Sequence, residues 1–164
     1  MADRSLVLEL AETAGEPVRI EWDLDALGSV GRSDAPERPF ELRGLDSDRW
    51  ELARVLSAAF ADGRLLAIAS LRPRDAAGHG EEATGGALVR DGEAATLDEA
   101  LLSVEYGPDR KPRRLGLELY ERPESLPLRI AGDRTGRSGA QDATFELRAG
   151  DVEGVALLAM VAPG

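Results

Sequence analysis

The sequence predicts an all-β domain, and the leading architecture is a closed antiparallel β-barrel built from internal repeats of about four strands. Two observations support this prediction: a repeated block of sequence, and apolar residues that alternate with polar ones along much of the chain. Residues 31–46 and 136–151 align without a gap, and nine of the 16 aligned residues are identical. Chance would give about one identity. Such a repeat indicates which residues the fold needs twice.

The repeat extends upstream of this block. Residues 8–20 resemble residues 117–130, and a weaker third copy begins near residue 51. We therefore expect one domain, 1–164, with repeat units of about 4–50, 51–98 (divergent) and 99–162. The order of strands predicts that the two terminal strands pair, which would close the sheet and remove its edges. A β-trefoil or prism-like fold with pseudo-threefold symmetry and a β-sandwich are the alternatives.

Alternation locates the strands in chain order. Val18, Ile20, Trp22 and Leu24 share one face of an early strand, and residues 100–106 and 115–119 alternate in the same way. The polar opposite faces favour antiparallel pairing with one face in water.

Two further stretches need a second argument. Residues 48–61 contain many good helix formers, but their repeat partner at 153–162 is rich in Val and Leu, so we predict a strand over 50–60. Residues 65–71 and 155–161 are apolar on both faces, which indicates strands that lie between layers or at an interface.

Composition excludes several classes of function. The net charge is −11, so nucleic acid and anionic membranes would be repelled. There is no cysteine, and hence no disulfide, thiolate nucleophile or cysteine-bound metal. No apolar run approaches the length of a membrane-spanning helix. We expect a cytoplasmic protein without a cofactor, and with neither a nucleic-acid nor a membrane partner.

The only histidine, His79, lies in a glycine-flanked segment where the middle unit departs from the other two. An imidazole beside the carboxylates of Glu81 and Glu82 is a pattern typical of a general base or a weak metal site. The simpler interpretation is a polar loop, because flanking glycines give flexibility whereas a binding site needs rigid support. These three residues are candidate ligand contacts; no catalytic residue and no metal ligand is assigned.

Trp22 and Tyr120 are the large aromatic residues that the repeat does not explain. Trp22 lies on an apolar face, which favours the core, but it would line a ligand cavity if that face enclosed one. Tyr120 lies on the polar face of its strand and is the better candidate for an exposed or lumen contact. The repeated aromatic residues are expected in the core: Phe40, Trp50, Phe60, Tyr106 and Phe145.

Repeated charges complete the pattern. Four charged residues recur in the second copy, and we interpret them as cross-strand ion pairs on a solvated face: Glu9 as Glu118, Arg19 as Arg129, Glu41 as Glu146 and Arg43 as Arg148.

Three hypotheses for function follow. The first is a non-catalytic β-barrel that binds a small, largely apolar ligand or a protein partner. The second is a lipocalin-like enzyme of the isomerase or cyclase type, with a site at the barrel mouth near His79. The third is a structural or assembly subunit that forms a homo-oligomer through the strand at 155–161.

Overall fold

The computed structural model describes residues 5–10, 17–32, 38–74, 82–135 and 142–163. This part of the chain forms twelve strands and one short helix. The elements are β1 (Ser5–Leu10), β2 (Val18–Asp23), α1 (Leu24–Gly28), β3 (Phe40–Arg43), β4 (Trp50–Phe60), β5 (Leu65–Pro73), β6 (Ala83–Arg90), β7 (Glu93–Thr96), β8 (Glu99–Tyr106), β9 (Pro112–Tyr120), β10 (Leu128–Thr135), β11 (Asp142–Ala149) and β12 (Val152–Val161). The all-β class is confirmed, and so is the strand predicted over 50–60.

The strands form two antiparallel sheets. The smaller sheet has the order β1-β2-β3, and the larger has the order β7-β6-β5-β4-β12-β11-β10-β9-β8. The large sheet curls into a half-barrel. Strand pairing within the described residues leaves β7 and β8 as its edges, so the closed barrel of the prediction is not formed by the ladders themselves.

The expected pairing of the two terminal strands is wrong. β1 pairs with β2 in the small sheet, whereas β12 pairs with β4 on one side and β11 on the other. Because both edges of β12 are occupied, it lies in the middle of the large sheet rather than at a seam.

The large sheet separates two cores. On its concave face, apolar side chains from both ends of the strand order pack together, among them Leu56, Ile68, Leu117, Phe145 and Leu158. On its convex face, the small sheet packs against a surface rich in small residues: Ala53, Ala67, Ala69, Ala87 and Ala159. Small side chains let the two sheets approach closely, and the larger residues of the small sheet fill the layer.

The central strands are therefore buried on both faces. In β5, Leu66 and Ile68 pack in the core on the concave face, and Ala67 and Ala69 pack in the core on the convex face. This confirms the interpretation that residues 65–71 lie between layers. The apolar residues of β12 are used in the same way, so an oligomer built on residues 155–161 would have to unpair an internal strand.

The two edge strands of the large sheet are consecutive in the chain. Leu97 and Asp98 join β7 to β8; the Leu97 N–H donates to the Gly86 carbonyl of β6, and the Asp98 N–H donates to the Tyr120 carbonyl of β9. The guanidinium of Arg90, at the end of β6, donates to both carboxylate oxygens of Glu121, just after β9. These contacts bring the two edges of the curled sheet together at one end.

The repeated segments have similar local pairing but lie in different sheets. Glu9 faces Arg19 in the small sheet and Glu118 faces Arg129 in the large one, with ion-pair distances of 3.6 and 3.1 Å. The predicted cross-strand pairs are thus confirmed for these residues, whereas Arg43 pairs with Glu41 of its own strand and Arg148 pairs with Glu153 instead of Glu146. The strands that carry the repeated Phe-Glu-Leu-Arg segment, β3 and β11, pair in different registers. Arg43 of β3 faces Arg19, whereas Arg148 of β11 faces Ala131. The structure does not establish the repeat as an architectural unit.

Two local predictions need correction. Leu24 begins the short helix α1 instead of extending a strand, because the Asp23 carboxylate accepts the Asp25 and Ala26 N–H groups and caps a helical turn. Tyr106 is not a core residue: it is 47% exposed at the end of an edge strand, while Phe40, Trp50, Phe60 and Phe145 are buried as expected.

α1 has five residues, and no helix in the described ranges is long and apolar enough to cross a membrane.

The Arg90–Glu121 pair gives a pH-dependent prediction. The hydrogen bond from Arg90 lowers the pKa of Glu121, so the pair's contribution is present above the ordinary glutamate pKa and is lost as the pH falls through the lowered one. Both side chains are partly exposed, which limits the contribution to about 1 kcal/mol or less. Arg90→Gln should therefore reduce the free energy of unfolding at neutral pH, and the difference should vanish in acid.

Hydrogen exchange of backbone amides tests whether the Arg90–Glu121 pair holds the junction between β7 and β8 in place. Arg90→Gln should speed exchange of the Leu97 and Asp98 amides. The control Arg129→Gln breaks another exposed pair within the same sheet and should leave those amides unchanged. Equal exchange in both variants would show that the pair does not hold the junction.

Candidate functional site

One end of the curled sheet has polar side chains on its concave face. β4, β6, β9 and β11 begin at this end, and β5, β8, β10 and β12 finish there. At the opposite end the concave face is apolar, with Phe60, Leu66, Leu88 and Leu119 buried. We call the first the polar end and define it by Arg54, Ser70, Glu82, Thr84, Arg113 and Arg134.

Four of these residues form one hydrogen-bonded network. Arg54 faces Ser70 across β4 and β5, and Ser70 faces Thr84 across β5 and β6. One Glu82 carboxylate oxygen accepts from the Arg54 guanidinium at 2.7 Å and from the Ser70 hydroxyl at 2.7 Å. Ser70 and Thr84 hydroxyls lie 3.2 Å apart. Since the single Ser70 proton goes to Glu82, the Thr84 hydroxyl is the donor to Ser70.

The ion pair in this network is largely withdrawn from water. The side chains of Arg54 and Glu82 are 12% and 10% exposed. Removing two ions from water costs several kcal/mol each, and good geometry with extra hydrogen bonds is needed to offset that cost. The hydroxyls supply those bonds, so the pair is stable within an otherwise apolar face. Apolar residues would have filled these positions at least as well.

Two more arginines occupy the other side of the polar end. Arg134 faces the buried Phe145 across β10 and β11, which places it on the concave side of its strand. Arg113 lies where the β8–β9 register shifts, between Pro112 and Arg114, and lines one depression of about 410 Å³ together with Arg134. The other lining residues belong to the turn between β8 and β9: Gly107, Pro108, Asp109, Lys111 and Pro112.

Apolar side chains near these polar groups are incompletely covered. Leu102, Val104 and Met160 pack on the concave core but are only partly buried, whereas Leu117 and Ile130 are each 2% exposed. For Leu102 and Val104 the reason is that the other edge of β8 has no paired strand. The polar end therefore offers both charge and apolar surface.

The described residues among those that the sequence singled out, Glu82, Trp22 and Tyr120, lie in different parts of the fold. Glu82 lies in the buried network of the polar end, while His79 and Glu81 lie outside the described residues. Trp22 is fully buried between the two sheets and donates its indole N–H to the Ser57 hydroxyl at 2.9 Å. Tyr120 is partly buried at the far end of β9, opposite Glu99.

Sequence reasoning missed the arginines of the polar end. Arg54 interrupts the apolar alternation of Leu56, Ala58 and Phe60 on one strand face, which is the signal that would have revealed it. Residues 110–114 form a dense run of basic residues and include the only lysine, Lys111. Among the residues that the structure describes, no three His, Cys, Asp or Glu side chains are grouped so as to hold a metal ion.

Removing one partner of the Arg54–Glu82 pair should lower the free energy of unfolding more than replacing both partners with apolar residues. Glu82→Gln or Arg54→Met alone leaves an uncompensated buried group and should reduce the free energy of unfolding by about 3 kcal/mol. The double variant Arg54→Met/Glu82→Leu should lose less than either single variant. Chemical denaturation of the four proteins measures this. A double variant as unstable as the sum of the singles would show that the network is needed for folding.

The polar end thus combines a largely buried ion pair, hydroxyl groups and partly exposed apolar side chains. No protein-family model matches the chain, and neither a curated protein nor a solved structure matches it.

Proposed function

We propose that this protein is a non-catalytic binding protein that takes a small, largely apolar ligand with a polar group at the polar end of the curled sheet. The observation that carries the proposal is the Arg54–Glu82 pair, which lies on a concave face that is otherwise apolar. Ligand pockets combine apolar walls with a few convergent polar groups in this way. Leu102, Val104 and Met160 would supply the walls.

The proposal includes a barrel that is closed through a bent strand. β7 pairs with β6 and β8 pairs with β9, and the amides of Leu97 and Asp98 bond to both sides at the junction. If β7 and β8 act as two halves of one strand, the sheet closes at the apolar end and opens between β6 and β8 at the polar end. That opening would be the ligand's entrance.

Packing supports a site at the end of the sheet rather than in its middle. Leu56, Phe145 and Leu158 are completely buried in the concave core, and interiors of this kind are filled to crystal-like density. A ligand in the centre would have to displace these side chains. At the polar end it would cover surface that is already accessible.

A neutral fluorescent probe tests the proposal. N-phenyl-1-naphthylamine should bind the native protein with an increase in fluorescence. Val104→Trp fills the concave side of β8 and should abolish the increase. The matched control Leu101→Trp adds the same bulk to a residue of the same strand that is 46% exposed, and should retain it. Circular dichroism verifies that both variants fold. Loss of binding in both variants, or in neither, would contradict a site at the polar end.

An enzyme of the isomerase or cyclase type is the second candidate. Glu82 supports it, because the carboxylate is held by Arg54 and Ser70 and follows His79 and Glu81 directly in sequence. A carboxylate that lies within reach of a substrate proton can act as a general base. NMR of a bound compound distinguishes the two functions: conversion that is abolished by His79→Ala supports the enzyme, and an unchanged spectrum supports the binding protein.

A further inference from the structure

We infer that the ligand of the polar end is an uncharged molecule whose polar group is the carbonyl of a ketone or ester, carried on an apolar body. This inference rests on the proposed function and adds the chemical class of the ligand. Its basis is the guanidinium of Arg54, which is largely buried and already neutralised by Glu82, yet has hydrogen-bond donors that its protein contacts do not use.

Arg54 has more donors than the protein satisfies. A guanidinium carries five N–H groups. Among the described residues, Glu82 is the one hydrogen-bond acceptor of the Arg54 side chain, reached through Nη2 at 2.7 Å. The side chain is only 12% exposed, and donors withdrawn from water are normally paired. The remaining N–H groups therefore need an acceptor from outside the chain, which water or a ligand can supply.

The two hydroxyl groups of the network have no proton left for a ligand. Ser70 donates its proton to Glu82, and Thr84 donates its proton to Ser70. The hydrogen-bond donors that this network can offer a ligand are thus those of Arg54. The ligand group that meets them must be an acceptor.

The ion pair determines that this acceptor is uncharged. Arg54 and Glu82 are 12% and 10% exposed, so little water screens charges placed beside them. An anion would compete with Glu82 for the guanidinium and would be repelled by its carboxylate, and a cation would be repelled by Arg54. The carbonyl of a ketone or ester avoids both penalties. It supplies an oxygen with two lone pairs and no donor that would itself need a partner.

Apolar side chains lie beside these donors. Met160 is directly opposite Arg54 in the pairing of β12 with β4, and it is partly buried on the concave core. Leu102 and Val104 pack on the same core and are also only partly buried. A ligand could place its carbonyl oxygen at Arg54 and its apolar body against these side chains.

Three naphthalene derivatives of similar shape test the ligand class. 2-Acetonaphthone carries a neutral carbonyl, 2-ethylnaphthalene has a methylene in its place, and 2-naphthoate is an anion. Displacement of N-phenyl-1-naphthylamine measures their affinities. The ketone should bind at least about tenfold more tightly than the hydrocarbon, which is the effect expected for one hydrogen bond to a charged donor. 2-Naphthoate should bind more weakly than the ketone.

The double variant Arg54→Met/Glu82→Leu assigns the preference to the ion pair. Without the guanidinium, the carbonyl oxygen would be buried without a donor, so this variant should bind 2-ethylnaphthalene at least as tightly as 2-acetonaphthone. The control Arg129→Gln removes an arginine that pairs with Glu118 on the exposed face of β10, and it should retain the preference for the ketone. Circular dichroism verifies that both variants fold.

Infrared spectroscopy of the native protein gives a second measurement that needs no variant. When isotope-labelled 2-acetonaphthone is bound, its carbonyl stretch should lie at or below its frequency in water, because Arg54 donates to the oxygen. A stretch near the frequency in hexane would show a carbonyl without a hydrogen bond and would overturn the inference.

The outcomes separate this inference from the function on which it rests. If the ketone and the hydrocarbon bind equally well, or if 2-naphthoate binds most tightly, the carbonyl ligand is overturned and the binding function stands. The same holds if N-phenyl-1-naphthylamine binds and the ketone does not displace it. If N-phenyl-1-naphthylamine itself fails to bind, the proposed function is overturned.

Discussion

The architecture depends on a group of central strands that are buried on both faces. β4, β5 and β12 carry alternating apolar residues into two separate cores, one within the curl of the large sheet and one beneath the small sheet. A strand in this position has almost no face left for charge. Small residues on the convex side let the small sheet approach, and larger residues on the concave side fill the curl. The buried hydrogen bond from Trp22 to Ser57 joins the two layers.

This constraint makes the Arg54–Glu82 pair notable in energetic terms. The pair occupies the same concave face as Leu56 and Ile68, at the point where β4 begins and β5 ends. The Ser70 hydroxyl helps to offset its desolvation by donating to Glu82, and the Thr84 hydroxyl lies 3.2 Å from that of Ser70. Well-packed apolar residues are often at least as stable as a buried ion pair, so stability alone does not account for it. The binding role that we propose for the polar end would account for it.

Charge is distributed unevenly over the molecule. The net charge is −11, and exposed carboxylates pair with arginines along the outer faces of both sheets, as Glu9 does with Arg19. Such surface pairs contribute little to stability. At the polar end Arg54 pairs with Glu82 on the concave face, and Arg113 and Arg134 line a depression together with Asp109.

The sequence by itself determined most of the strands, the strand face that many side chains occupy, and the partners in some of the ion pairs. Period-2 alternation and the repeat predicted the all-β class, the strand at 50–60, the burial of Phe145 and the ion pairs Glu9–Arg19 and Glu118–Arg129. It also selected Glu82. The tertiary structure decided which strands are neighbours: β12 pairs with β4, and the repeated segments lie in two sheets. Alternation specifies which face a residue occupies, but pairing over long sequence separations depends on the packing of the whole core. For that reason the pairing of Arg54 with Glu82 could be found only in the folded chain.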